Sequence, residues 1–277
     1  MRVFKGSPWG KTYFVKWTFI IVMGNAVANP QGDSEGNRPG SRIEGRAPLR
    51  CLLNGIVDPD KHPEKTVKVK VGRRGRVYTR AVPMSHHNPS MSAVMRHVWR
   101  ARASFLAGDI PGAAYWIGWA LHYIQDRCVG KGMFGLKHES VERGAASVQV
   151  RREDVLLGFS RTVSSPRFVK TILHGLRATV NPVEAVREAT LASSAVFAAV
   201  FGSRNPPKQL IVKYHEERRK HTKITAGEGL SILCMLALLA LGVLPLLLIP
   251  ILACIILYFM DGEYRTLREE ARWFGMA

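Results

Sequence analysis

Residues 229–260 of this 277-residue chain contain no Asp, Glu, Lys, Arg or His. Roughly 20 apolar residues already cross a hydrocarbon core as a helix, so the segment is longer than one span needs. Uncharged helices of that length are rare in soluble domains, where the competing reading is a buried core helix. Tyr258 and Phe259 stand where an interfacial aromatic belt would lie. The excess length fits either one tilted or kinked span or a tight hairpin broken near Gly242 and Pro245. Each arm of a hairpin is too short to cross comfortably, so one span over 229–260 is expected. It would make this a membrane protein, single-pass by a C-terminal segment, with the side of the remaining domain left open.

Other scarcities also exclude. The four cysteines are Cys51, Cys128, Cys234 and Cys254, none with a close-spaced partner, so neither a disulfide framework nor a zinc knuckle can be read from them. Acidic residues number 21 against 40 Lys and Arg, a net charge of +19. That imbalance argues for an anionic partner: lipid headgroups, nucleic acid or a phosphorylated substrate.

Along the chain, Arg2, Lys5, Lys11 and Lys16 precede an apolar run at 17–22 and the small-residue pattern Ala26-Val27-Ala28. Residues 1–30 are therefore a signal-like segment or the first helix of the domain. Residues 31–48, rich in Gly, Pro, Ser, Asn and Arg, read as a flexible loop. Residues 66–82 alternate valine with basic or polar residues around Gly72-Arg73-Arg74-Gly75, which predicts a small β-hairpin carrying Lys68, Lys70, Arg76 and Arg80 on one face. Only Tyr78 is interleaved with those charges, too little to stack single-strand bases, so no nucleic acid is expected. The rest predicts helices, at 90–107, at 111–129, and after the N-cap pairs Ser165-Pro166 and Asn181-Pro182. A domain over 49–208, a basic juxtamembrane stretch at 209–228, the apolar segment and a polar tail at 261–277 complete the organisation.

His122 and Asp126 are four residues apart and so share one helical face, amid Trp116, Ile117, Trp119, Leu121 and Ile124. After a glycine-punctuated loop, His138 and Glu142 repeat the spacing, and His86-His87 stand upstream. Histidine and carboxylate are ordinary zinc ligands, and two such pairs plus a third contributor suit metal ions held between helices. His122 and Asp126 alone read rather as a helix-surface ion pair or a satisfied buried pair, and it is the second pair flanking the same loop that shifts the balance toward a metal. His97, outside these groups, reads as a packed or surface histidine.

The run Ala114-Tyr115-Trp116-Ile117-Gly118-Trp119-Ala120-Leu121-His122-Tyr123-Ile124-Gln125-Asp126, followed by His138 and Glu142, resembles the zinc-dependent phospholipase C family. That family shares its all-helical fold with single-strand-specific nucleases. Weaker likenesses lie at Asn54-Gly55-Ile56 with Asp60, matching a segment that ends in a metal-binding Asp, and at Ser85-His86-His87-Asn88-Pro89, matching a segment with a metal-binding His. The resemblance covers residues 51–144. It implies an all-α, phospholipase C-like domain with one complete metal site, His86 or His87 with His122 and Asp126, and a thinner second site from His138 and Glu142. Gly132 stands where the family has a histidine, which removes a ligand from the second site, and no His follows Trp9 to build a third.

The implied activity is metal-dependent phosphoester hydrolysis at a membrane, with zinc, one or two ions, activating a water toward a phospholipid or related anionic phosphodiester. Asp60 is the candidate to orient or deprotonate that water, or else an Asx-Pro turn residue. Membrane lipid is the expected partner, held by the basic hairpin and residues 209–223. The competing class is a noncatalytic membrane protein that keeps the fold with a structural or vestigial metal site.

Overall fold

The computed structural model describes residues 46–61, 66–73, 76–83, 89–130, 138–242 and 244–277. The signal-like segment at 1–30 and most of the loop at 31–48 lie outside the described residues. The chain is mostly helical and divides into two compact units, the first ending at Gly202 and the second running Ser203–Ala277.

In the first unit, α1 spans Arg46–Lys61. It takes in the last three residues of the stretch expected to be loop, and its backbone is helical through Asp60, which corrects the Asx-Pro turn reading of that residue. Strands β1 (Thr66–Arg73) and β2 (Arg76–Pro83) pair antiparallel, with Val69 opposite Arg80. Then follow α2 (Met91–Leu106), α3 (Ile110–Cys128), α4 (His138–Ser147), α5 (Arg152–Ser160), α6 (Pro166–Gly175) and α7 (Pro182–Val200).

Local chemistry sets these helix ends. The Ser90 hydroxyl accepts from Ala93 N at 3.2 Å and the Asp109 carboxylate from Gly112 N at 2.9 Å. Ser165 accepts from the amides of Arg167 and Phe168, and Asn181 from Val183 N at 3.0 Å, each followed by proline at the first helical position. These side chains satisfy amide donors that a helix start otherwise leaves without partners, and proline fits there because its missing N–H is not needed.

Helix α3 is central, packing against α1, α2 and α7. Its crossing with α1 is close because both helices put glycine at the contact. A Cβ on Gly118 would stand 2.5 Å from the Leu52 carbonyl oxygen, and one on Gly55 would collide with the Tyr115 carbonyl. Around this crossing Leu52, Ile56, Ile117, Leu121 and Ile124 are fully buried. Helix α7 supplies a second buried face of small residues, among them Ala192, Ser193, Ala195 and Ala199.

The second unit begins with α8 (Lys208–Ala240), among the described residues the one helix long and apolar enough to cross a membrane. It is internal rather than C-terminal. A 3-10 turn (Leu244–Leu247), α9 (Leu248–Met260) and α10 (Gly262–Trp273) follow, and α9 and α10 both pack back on α8. Residues 229–260 are therefore divided between two helices, the end of α8 and α9, with the break near Gly242 and Pro245. The break falls where Leu241 closes α8 and Gly242 takes φ +70°, a conformation open to glycine at no steric cost. Pro245 in the 3-10 turn then supplies no amide to continue α8. The buried base of this unit is Tyr214, Tyr264 and Ala271, with Leu267 and Met276 against it.

Candidate functional site

The C-terminal half of α3 carries the residues of interest. His122 and Asp126 are one helical turn apart, with Nε2 3.1 Å from Oδ2 and side chains 0% and 1% exposed. The position comes from the close α1–α3 crossing and from α2 and α7, which enclose this helix on its remaining sides. The Tyr123 ring lies 5.8 Å from the His122 ring, edge-on.

His97 of α2 is fully buried beside this stretch. Its ring stacks on Trp119 at 5.0 Å and Trp116 at 5.7 Å, and meets Tyr123 edge-on at 5.6 Å. The Arg100 guanidinium lies over the outer ring of this stack, 4.6 Å from the Trp116 centroid. His97 is thus a packed histidine within an aromatic cage one turn from His122. Its sequence signal is its place among Val94, Met95, Val98 and Ala101 on the buried stripe of α2.

At the other end of the site Tyr115 donates its hydroxyl to Asp58 of α1 at 2.9 Å. Burial raises the Tyr115 phenol above its ordinary value, with the Asp58 hydrogen bond and charge adding to the rise and a hydrogen bond with Trp119 opposing it. Asp58 therefore joins the site's edge where the sequence pointed to Asp60, whose side chain lies outside the described residues. The signal for Asp58 was its position three residues after Gly55, on the side of α1 that faces α3.

The end of α3 is fixed from two directions. Arg127, the residue after Asp126, donates Nη1 to the Pro89 carbonyl at 2.8 Å. Val129 bridges in parallel to Thr179, with Gly130 N donating to Thr179 O at 2.8 Å and Thr179 N to Cys128 O at 3.0 Å. Cys128 is fully buried here, and burial pushes its thiol up to about 12, with Glu188 and Asp126 adding in the same direction and Arg127 opposing.

Of the expected ligands, His122 and Asp126 are the ones brought together among the described residues. Among the described residues no three His, Cys, Asp or Glu side chains converge on a point that could hold an ion. His86, His87 and Gly132 lie outside the described residues, as does the side chain of His138. Glu142 is half-buried on α4, a helix that packs on α7. The pair itself fits a metal: ligand bonds of about 2.0 to 2.1 Å in a tetrahedral zinc site put neighbouring donor atoms about 3.3 Å apart, close to the 3.1 Å seen. The same distance serves a hydrogen bond between His and carboxylate.

Comparison with family models, with curated proteins and with solved structures found no match to this chain. The likeness to zinc-dependent phospholipase C therefore rests on the residues quoted for it.

Proposed function

We propose that this protein is a membrane-attached, metal-dependent phosphoesterase acting on a phospholipid or related phosphodiester. The observation that carries the reading is the His122–Asp126 pair, two zinc-type donors 3.1 Å apart inside a helical core. The Arg127–Pro89 hydrogen bond supports it. It ties the residue next to Asp126 to the chain two positions beyond His87, the expected source of a third ligand. His122 and Asp126 would hold the ion, with His86 or His87, and His138 and Glu142 would serve the thinner second site. When bound, zinc supplies a water acidic enough to attack phosphorus at neutral pH. The chain's own part is to fix the donors on one rigid helix, exclude competing water through the Trp116, Trp119 and Tyr123 cage, and bring the phosphate through basic surface. Asp60 is the proposed proton acceptor.

Membrane attachment is supported by α8 and α9. Leu230, Leu233, Leu236, Leu248, Ile249 and Phe259 are all more than 45% exposed, an apolar surface larger than soluble monomers ordinarily show. The basic β1–β2 hairpin and the exposed Lys213, Arg218, Arg219, Lys220 and Lys223 would lie against anionic headgroups.

The second reading, a noncatalytic membrane protein with a structural metal or none, is favoured by the burial of His122 and Asp126. Catalytic zinc keeps an open ligand position, and 0% and 1% exposure leaves little room for substrate. The two readings separate on full-length protein in phosphatidylcholine vesicles. Metal-dependent release of phosphorylated headgroup, lost in His122→Ala, supports the enzyme. No release above a chelated control with zinc, manganese or calcium supplied would leave the noncatalytic reading.

A further inference from the structure

The unit Ser203–Ala277 has a geometry that a through-going anchor does not need. Helix α9 runs back along α8 in a fixed antiparallel register. A Cβ on Gly227 would be 3.3 Å from the Leu257 side chain, and His221 Nδ1 lies 2.7 Å from Asp261 Oδ1, joining residues 40 apart in sequence where α9 ends. Helix α10 continues the same antiparallel course along the polar half of α8. His221 stacks on Tyr264 at 4.0 Å, Tyr214 stacks on Tyr264 at 6.1 Å, and Tyr214 and Ala271 share a buried core. The unit is one long helical hairpin with an apolar tip and a polar base.

Length argues next. At 1.5 Å per residue the apolar part of α8 from residue 229 to 240 extends about 18 Å, and the 13 residues of α9 about 20 Å. A hydrocarbon core is about 30 Å thick. The 13 residues of α9 fall well short of it, and α8, the one described helix long and apolar enough to cross, would have to draw Glu228 into the hydrocarbon to do so. The tip, Leu241 and the positive-φ Gly242, is exposed and carries no charge. The base is ringed by exposed cations from both strands of the hairpin, Lys220 and Lys223 on α8 and Arg265 and Arg268 on α10. Arg265 lies 3.9 Å over the Tyr258 ring and donates to the Tyr258 carbonyl at 2.6 Å, at the level where the apolar surface ends.

We propose that residues 229–260 form a re-entrant hairpin that dips into one leaflet of an anionic membrane and returns, leaving residues 208–223 and 262–273 side by side on the same face. A through-going span would place those two stretches on opposite sides, and so would have to separate Tyr214 from Tyr264 and His221 from Asp261. Two backbone amides at the tip find partners in the helix's own capping bonds, Leu241 N to Ala237 O at 3.0 Å and Gly242 N to Leu239 O at 3.1 Å, which lowers the cost of placing them in hydrocarbon.

The inference rests on the membrane reading above, and the test separates the two. Full-length protein is synthesised in the presence of preformed, sealed vesicles of phosphatidylcholine and phosphatidylserine. Three single-cysteine additions, Glu216→Cys, Arg272→Cys and Leu241→Cys, are then treated with a membrane-impermeant maleimide, and the labelled peptides are identified by mass spectrometry. The proposal expects flotation with the vesicles, full labelling at 216 and 272 before detergent, and labelling at 241 only after solubilisation. Floated protein labelled at 216 but protected at 272 would establish a through-going span and overturn the re-entrant hairpin while leaving the membrane reading standing. Floated protein labelled at 241 before detergent would overturn insertion of the tip. Protein that fails to float would overturn the membrane reading itself.

Discussion

Arg102 Nη1 donates to the Val200 carbonyl at 2.7 Å and to the Gly202 carbonyl at 3.1 Å, from a side chain with no solvent exposure. Helix α2 thereby caps the C-terminal end of α7, where carbonyls lack intrahelical partners and the helix dipole favours a cation. The Arg102 guanidinium also lies over the Phe105 ring, 5.5 Å from its centroid.

Arg102→Met keeps most of the volume and removes the donors. Hydrogen bonds to charged groups contribute about 1.5 to 3 kcal/mol, and a buried carbonyl left without its donor adds to the loss, so the variant should be destabilised by about 2 to 4 kcal/mol in chemical denaturation. An unchanged midpoint would show that the guanidinium contributes nothing net at this helix end.

At the α1–α3 crossing, Gly55→Ala sets two effects in opposition. Intrinsic helix propensity favours alanine by about 1 kcal/mol. The new methyl would meet the Tyr115 carbonyl, a backbone group that cannot swing away, and overpacking costs about 1 to 3 kcal/mol or more. The expected outcome is net destabilisation by denaturant titration. A variant more stable than the parent would mean that the helices separate freely here and that the site on α3 is not fixed by α1.

The pH dependence follows from Cys128. Its thiol rises in the folded state from 9.0 to about 12 through burial, so the folded protein holds the proton more tightly than the unfolded chain does. The associated stability is fully present below pH 9 and is lost as pH climbs toward 12, at a slope of at most about 1.4 kcal/mol per pH unit. Denaturation midpoints of parent and Cys128→Ala, followed by tryptophan fluorescence, should diverge in slope above pH 9. Parallel profiles would contradict the buried, protonated thiol.

For the basic rim, each Lys or Arg near an anionic surface contributes about 1 kcal/mol. The double variant Arg218→Glu, Arg219→Glu should therefore weaken binding to phosphatidylserine-containing vesicles by about 2 kcal/mol or more in flotation titrations. It should leave the residual binding to pure phosphatidylcholine vesicles in place, since that part comes from the apolar tip. Equal loss on both lipids would point to a damaged hairpin rather than a lost headgroup contact.

What the sequence revealed was local. The helices of the first unit and the caps at Ser165 and Asn181 rest on neighbouring residues, and the His122–Asp126 pair depends only on helical spacing. The apolar segment was visible from composition, but its division was not decided by it. Gly242 and Pro245 mark a break, yet glycine and proline also occur within membrane helices, and what closes the hairpin is His221 meeting Asp261 across 40 residues. The same distance in sequence hid the site's surroundings. His97 stacks on residues 19 and 22 positions away, and Asp58 meets Tyr115, 57 positions away, because α1 crosses α3 at Gly55 and Gly118. No periodicity encodes which buried stripes face one another.

The most direct test of the account is metal per chain, by elemental analysis of the full-length protein purified without a polyhistidine tag, for the parent, His122→Ala, Asp126→Asn and His97→Ala. The account predicts at least one stoichiometric zinc in the parent and its loss in the first two variants, with a lower melting temperature and a smaller effect of added chelator, because an ion bound only to the folded state stabilises it by mass action. His97→Ala should also melt lower, since it empties a buried ring site between Trp116 and Trp119, yet keep its zinc, which separates lost packing from lost ligation. A parent without stoichiometric metal, or a His122→Ala variant that retains all of it, would contradict the account.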